Sequence, residues 1–200
     1  MLTALMIVTI LVSTVPSSYC VYSGCSNCPA EPIDKMNDHQ IQQILSQRSV
    51  FEEIEQNPQL LHNATYQRSF VTLTLRQNQQ ILKKYAKMFR DKKSVLTSSV
   101  GTETMSQICP PDSSSDPLIL VYTTEGQLVE LVQMPEQNDN QWILDETCRD
   151  EVSFGKTCRL VDRTVPGLFI NHNNIVETGG GSEDFDYSYV VVQYCAAFEP

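Results

Sequence analysis

Histidine is scarce in this chain: His39, His62 and His172 are the only three. None of them sits in a His-Glu-x-x-His pair, and neither a Gly-x-Ser-x-Gly elbow nor a P-loop accompanies them. A hydrolytic triad would have to rest on His172 alone, since the other two fall in the N-terminal half. Past the first 15 residues no apolar run approaches the roughly 20 residues that a helix needs to cross a bilayer. Bases are also few towards the C-terminus, which argues against nucleic-acid or heparin binding, where phosphate or sulfate must be neutralised by Lys and Arg. Gly179-Gly180-Gly181-Ser182 lacks the lysine and following helix of a phosphate loop and reads as a flexible turn. Cys25-Ser26-Asn27-Cys28 has no second pair to complete a zinc site and no βαβ pattern around it to make a redox motif. The clustered carboxylates Glu183, Asp184 and Asp186 could imitate an acid/base pair or a calcium loop, but read as a solvated hairpin. Function is therefore expected in surfaces and not in a reaction centre: no enzyme, no cofactor and no metal.

What the chain does have points outward. Met1 to Val15 is an apolar run of signal-peptide length, with Val15 and Ser17 fitting the small-residue rule for cleavage after Ser17, although a basic n-region is missing. The expected product is soluble, secreted and extracellular, with no membrane insertion once the signal is cut. Up to Lys93 there are ten Lys and Arg against seven Asp and Glu, a net of +3; from Ser94 onward four bases face seventeen acids, a net of −13. That asymmetry marks a domain boundary. Arg90-Asp91-Lys92-Lys93 at the seam fits the acidic cleft of a processing protease, with cleavage between Lys93 and Ser94. The expected organisation is a signal peptide (1–17), a pro-segment (18–93) and a mature domain (94–200).

The pro-segment reads as mostly helical. Ile41, Ile44, Leu45, Phe51 and Ile54 recur at helical spacing behind a cap at Asn37/Asp38, and Ile81, Leu82, Tyr85, Met88 and Phe89 do so again. Between them Phe70, Val71, Leu73 and Leu75 alternate as a short strand would. Asn63-Ala64-Thr65 is an N-glycosylation sequon, which places Asn63 at the surface. Cys20, Cys25 and Cys28 form an odd trio for which a secreted location favours disulfides.

From Ser94 onward the chain reads as all-β. Apolar, β-branched runs recur at Leu118–Tyr122, Leu128–Val132, Trp142–Leu144, Leu168–Ile170 and Tyr187–Val192, with turn chemistry between them, including Thr123-Thr124-Glu125-Gly126-Gln127. About a hundred residues of short strands bury little apolar surface, so cross-links matter; each disulfide is worth roughly 2 to 4 kcal/mol.

Asp145-Glu146-Thr147-Cys148-Arg149-Asp150 and Gly155-Lys156-Thr157-Cys158-Arg159-Leu160-Val161-Asp162, with nine residues between the cysteines, resemble the segment around the second and third knot cysteines of neurotrophins. Ile108-Cys109, Gly126–Leu131 and Phe185–Cys195 resemble the family's first cysteine, first hairpin and last strand; arthropod Spätzle, which shares the knot, is a close relative of that pattern. The resemblance covers about the last hundred residues. It implies a mostly β fold, elongated cystine-knot-type antiparallel hairpins preceded by a partly helical pro-segment. It also implies a second-to-fifth bridge from Cys148 to Cys195. The family's fourth and sixth cysteines would fall near Ile170 and at Ala197, neither of which is cysteine here, so Cys109 and Cys158 each lose their partner. Crowded into one volume, these two can join each other if their Cα atoms come within about 7 Å; otherwise each is an intersubunit bridge or a free thiol.

The function so implied is that of a growth-factor-like ligand, a glycoprotein that forms a homodimer and binds a cell-surface receptor, with Trp142, Tyr187 and Tyr189 as candidate dimer or receptor surface; for Trp142 a place in the protomer's own core is the competing reading. The acidic mature half departs from the basic neurotrophins and calls for a receptor with a basic patch, while the basic pro-segment is an internal partner for it. The alternatives are a Spätzle-like ligand of a Toll receptor and a secreted binding or inhibitor protein that kept the scaffold and does not signal.

Overall fold

The computed structural model describes residues 31–91, 109, 111–113, 116–137, 139–149, 151–153, 155–180 and 183–199. The signal run, Cys20, Cys25, Cys28 and the Lys93–Ser94 cleavage position lie outside them. No described helix is long and apolar enough to cross a membrane.

The N-terminal half is helical for reasons that are local. Asn37 accepts a hydrogen bond from the Gln40 amide while Gln40 Oε1 accepts one from the Asn37 amide, both at 3.0 Å. This reciprocal box satisfies two donors that a helix start leaves orphaned, and α1 (Asp38–Ser46) begins there. The helix breaks at Gln47 and resumes as α2 (Arg48–Gln56), followed by a 3₁₀ turn over Pro58–His62. Thr74 and Gln77 repeat the box at the start of α3 (Leu75–Tyr85). The expected strand over Phe70–Leu75 does not form: residues 70–74 pair with no strand among the described residues, and Leu75 already belongs to α3.

The C-terminal half supplies an antiparallel sheet. Its strands are β1 (Pro111–Ser113), β2 (Leu120–Thr123), β3 (Leu128–Leu131), β4 (Glu146–Cys148), β5 (Val152–Ser153), β6 (Lys156–Ile170) and β7 (Phe185–Phe198). β1 and β4 pair by themselves, and the other five run in the order β3-β2-β7-β6-β5. β3 also pairs with β6, Glu130 opposite Ile170 and Leu131 opposite Phe169, so four strands close on themselves. β6 and β7 form one long ribbon in unbroken register from Thr157 opposite Phe198 to Ile170 opposite Phe185. Gly126 turns the β2–β3 hairpin with φ at +80°, a value that costs glycine nothing.

Because side chains alternate along a strand, the closed sheet has an inside and an outside. Val121, Val129, Leu131, Phe169, Val190 and Val192 point inward and pack together with Leu118. Gly167 lies on that inner surface, where a Cβ would meet Leu131 Cδ2 at 3.0 Å. The outer surface is apolar as well, and the N-terminal helices cover it. Leu168 and Ile170 pack with Met36, Ile44, Ile81 and Phe89, while Leu120 and Leu128 pack with Phe51, Ile54, Leu61 and Phe70.

The C-terminal half is not purely β. Between β6 and β7 the chain forms α4 (His172–Thr178), capped by Asn171 and ended by Gly179 in the left-handed conformation, φ +63°. Nor are Trp142–Leu144 a strand. The side chain of Gln141 takes the ladder position instead, donating to Val132 O at 2.8 Å and Leu168 O at 2.7 Å and accepting from the Leu168 amide at 2.9 Å.

Candidate functional site

Two features carry chemistry: a pair of disulfides on the ribbon, and the seam between the halves. Cys158 on β6 stands opposite Ala197, and Cys195 on β7 stands opposite Leu160. The two cysteines therefore share one face of the ribbon, offset by two positions. Cys158 is bonded to Cys109 (Cα–Cα 5.6 Å) and Cys195 to Cys148 (Cα–Cα 5.1 Å), bridges that span 49 and 47 residues. The sulfurs of Cys109, Cys158 and Cys195 lie within 4.8 Å of one another. With all of them oxidised, no thiolate is left to hold a metal. These are the pairs raised by the resemblance, Cys148 with Cys195 implied and Cys109 with Cys158 as one of the options left open. Ala197, the position of the missing sixth cysteine, lies directly across from Cys158. Ile170, the position of the missing fourth, is twelve residues further along β6, about 40 Å of strand, beyond the reach of any bridge to Cys109.

At the seam, buried carboxylates of the C-terminal half grip main-chain amides of the N-terminal half. Glu130, on the outer side of β3, is 1 % exposed. Its Oε1 accepts from Ser69 Oγ at 2.7 Å, the Phe70 amide at 2.9 Å and the Val71 amide at 3.3 Å. Its Oε2 lies 2.8 Å from Nε2 of the buried His172 at the start of α4, and the Phe51 ring lies against that imidazole, tilted by 30°, with ring centroids 4.4 Å apart. So His172 braces a structural carboxylate, and its buried Nδ1 has no hydrogen-bond partner among the described residues. Asp184, just before β7, accepts from the Met36 amide at 2.5 Å. Burial pushes the Asp184 carboxyl above its ordinary range, against the smaller opposing pull of the Met36 amide and Lys35.

Side-chain amides complete the seam. Gln67, from the N-terminal half, accepts from the amides of Ile119 and Leu120 and donates to Leu120 O. Within the N-terminal half, Gln40 and Gln77 bond each other, and Gln77 also donates to Asp34 O and Lys35 O, which fixes the segment that carries Met36. The exposed arginine pairs of the N-terminal half stay within it, Arg48 with Glu52 and Arg76 with Glu31 and Asp34, while Lys35 attracts Asp184 across the seam. Among the described residues His62 faces Asp145 across the seam at 3.4 Å.

The expected surface residues separate. The Trp142 indole donates to Arg90 O at 2.8 Å, next to the bridge between Arg90 and Asn140. Tyr187 stacks on Tyr85 of α3, centroids 5.8 Å apart, while 51 % exposed. Tyr189 is 57 % exposed. Thus Trp142 and Tyr187 border the last anchors of the N-terminal segment. Tyr85, Tyr187, Lys35 and Asp184 also line an open cleft of about 300 Å³ at the seam. Asn63 is exposed, its Oδ1 accepting from the Thr65 amide. Glu183 and Asp186 are solvated as expected, but Asp184 is not, at 2 % exposure. Glu130, Gln67 and Gln141 are the residues that sequence reasoning missed; the only signal was an acid inside the apolar run Leu128–Val132. No protein-family model matches the chain, and no curated protein matches it.

Proposed function

We propose that the chain is the precursor of a secreted, receptor-binding ligand of the cystine-knot type. The observation that carries this reading is the convergence of both bridges on one face of a long two-stranded ribbon. Beyond its core-facing end at Leu168–Ile170, such a ribbon is held as a display surface by cross-links. In this reading a protease cuts between Lys93 and Ser94, and the mature part forms a two-fold dimer that presents each receptor contact twice. Tyr187 and Tyr189 are its candidate contact residues, with Trp142 at the border of the N-terminal segment. The segment's anchors at Tyr85 and Arg90 lie just before the cut, so it would stay seated after cleavage and cover part of the contact surface.

The test is an intact-mass measurement and non-reducing peptide map of the product exported by cells. A mature chain starting at Ser94, both bridges intact and a dimeric mass are expected. A Cys148–Cys158 pairing, or an unprocessed monomer at micromolar concentration, sinks the proposal. A second reading, an exported binding protein that is never cleaved and does not signal, is favoured by one observation: the N-terminal helices fill the same clusters as Leu120, Leu128, Leu168 and Ile170. An uncut chain is then the complete folding unit, and the same peptide map separates the two readings.

A further inference from the structure

The two edges of the β6–β7 ribbon are treated differently. In the unbroken register the odd-numbered residues of β7 turn their N–H and C=O groups away from β6, and the even-numbered residues of β6 turn theirs away from β7. On β7 that edge is filled. Val191 pairs with β2, the Gln193 amide donates to Asp145 Oδ1 at 2.9 Å, and the Cys195 amide donates to Glu146 Oε2 at 3.2 Å. On β6 the two ends are filled: the Cys158 amide donates to Glu151 O at 2.7 Å, and the Leu168 amide to Gln141 Oε1. Pro166 has no N–H to satisfy. Between them, Leu160, Asp162 and Thr164 face outward with no backbone partner among the described residues, and all three are exposed. An open edge of this kind is a template for another strand, and proteins ordinarily blunt it, as this one does on β7.

Charge says what the edge fits. Three of the four bases beyond Ser94 lie on β6, namely Lys156, Arg159 and Arg163. Arg159 and Arg163 are exposed on one face of the strand, flanking Val161. Neither is in an ion pair among the described residues; Arg163 lies over the Tyr194 ring, 5.6 Å from its centroid. Asp162 points to the other face. A second copy of this edge is a poor occupant, because a two-fold pairing centred on the open stretch sets Asp162 against Asp162.

We propose that Leu160–Thr164 is a docking edge for an extended segment of a partner protein, added as a strand beside β6. Its acidic side chains at alternate positions would sit against Arg159 and Arg163, around an apolar residue at Val161. Main-chain hydrogen bonds supply the attachment and the alternating side chains the selectivity. This holds whether or not the chain is cleaved.

The test uses the full chain and a blocked peptide, Thr-Glu-Lys-Val-Val-Glu, at millimolar concentration, followed by amide hydrogen exchange. Exchange at Leu160, Asp162 and Thr164 is expected to slow about tenfold or more, as for amides that enter a ladder. Thr164→Pro removes an outward-facing donor at a position type that Pro166 already occupies, so the fold and both bridges should persist while protection is lost. Arg159→Ala combined with Arg163→Ala should weaken it with the backbone intact. No slowing, slowing undiminished in Thr164→Pro, or equal protection by the peptide with Lys in place of both Glu would each overturn the proposal. So would protection already present without peptide that disappears on dilution, the signature of a second copy.

Discussion

The inner and outer surfaces of the closed sheet are both largely apolar, yet they are filled from different sources. Inside, Val121, Val129, Leu131, Phe169, Val190 and Val192 all come from the C-terminal half, so that cluster is complete without residues 31–91. Outside, Leu120, Leu128, Leu168 and Ile170 find their neighbours on the N-terminal helices. A cut in the chain near residue 93 would leave the first cluster whole and make the second depend on a separate piece. The difference also shows in the polar groups: the inner cluster is built of apolar side chains, with Thr123 at its turn end, whereas the outer surface includes Glu130, buried and fully engaged.

Removing Glu130 should break the seam hardest. Glu130→Ala leaves the donors of Ser69, Phe70, Val71 and His172 facing an empty space, which costs about 3 to 5 kcal/mol. Glu130→Gln keeps an acceptor for the two amides and should recover a good part of that in urea unfolding. If Ala and Gln variants lose equally little, the seam is held by its apolar contacts alone.

The next comparison pairs Phe169→Ala with Ile170→Ala, one inside and one on the outer surface against the N-terminal helices, each expected to cost about 3 to 4 kcal/mol in the intact chain. After cleavage and separation of the N-terminal segment, the first loss should persist in the remaining sheet and the second should vanish. Equal effects in both forms would mean that the two clusters unfold as one.

A smaller effect is expected at Gly167. The added methyl of Gly167→Ala meets Leu131 Cδ2 at 3.0 Å in a packed interior, so the leucine must give way, at about 1 to 2 kcal/mol. A neutral result in thermal unfolding would show that the inner cluster has slack.

The smallest effect concerns pH. Asp184 has its carboxyl raised in the folded state, mainly by burial. The folded chain therefore binds its proton at a higher pH than the unfolded chain does. Its charged form disfavours the seam near neutral pH, and this penalty fades as pH falls through the raised value. Asp184→Asn should remove that dependence and hold the Met36 amide at least as well at pH 7. The difference between the two proteins, followed by denaturant midpoints from pH 7 to 4, should narrow; a difference that widens reverses the sign of the argument.

How much of this was legible follows from range. The cap at Asn37, the helical spacing up to Phe89 and the Gly126 turn depend on residues a few positions apart, and they made the helices and the β2–β3 hairpin legible, whereas the Thr74 cap lay hidden in a run that alternates like a strand. The bridges were legible only through a resemblance, since four cysteines pair in several ways by spacing alone. Glu130 was not legible as a buried residue, because alternation in β3 places it outside, and only the arrival of Phe70 and Val71 makes the outside an interior. Gln141 mimics a strand residue with its side chain, which no periodicity records. The seven residues of α4 are too short to stand out between two long strands. Asp184 lies among acids that are solvated, and its burial depends on Met36.

That last contact has a consequence during synthesis. Met36 and Asp184 are 148 residues apart. At about 5 to 20 residues per second, the amide of Met36 waits roughly 7 to 30 s for its acceptor to be made. Helices that hold Ile44 and Ile81 are finished early, and the strand that covers them, ending in Ile170, arrives late. The N-terminal half should therefore emerge as a client for chaperones, with protease-sensitive helices in any nascent chain arrested before residue 170. Protection of residues 36–89 in such arrested chains would show that the helices form a folding unit of their own.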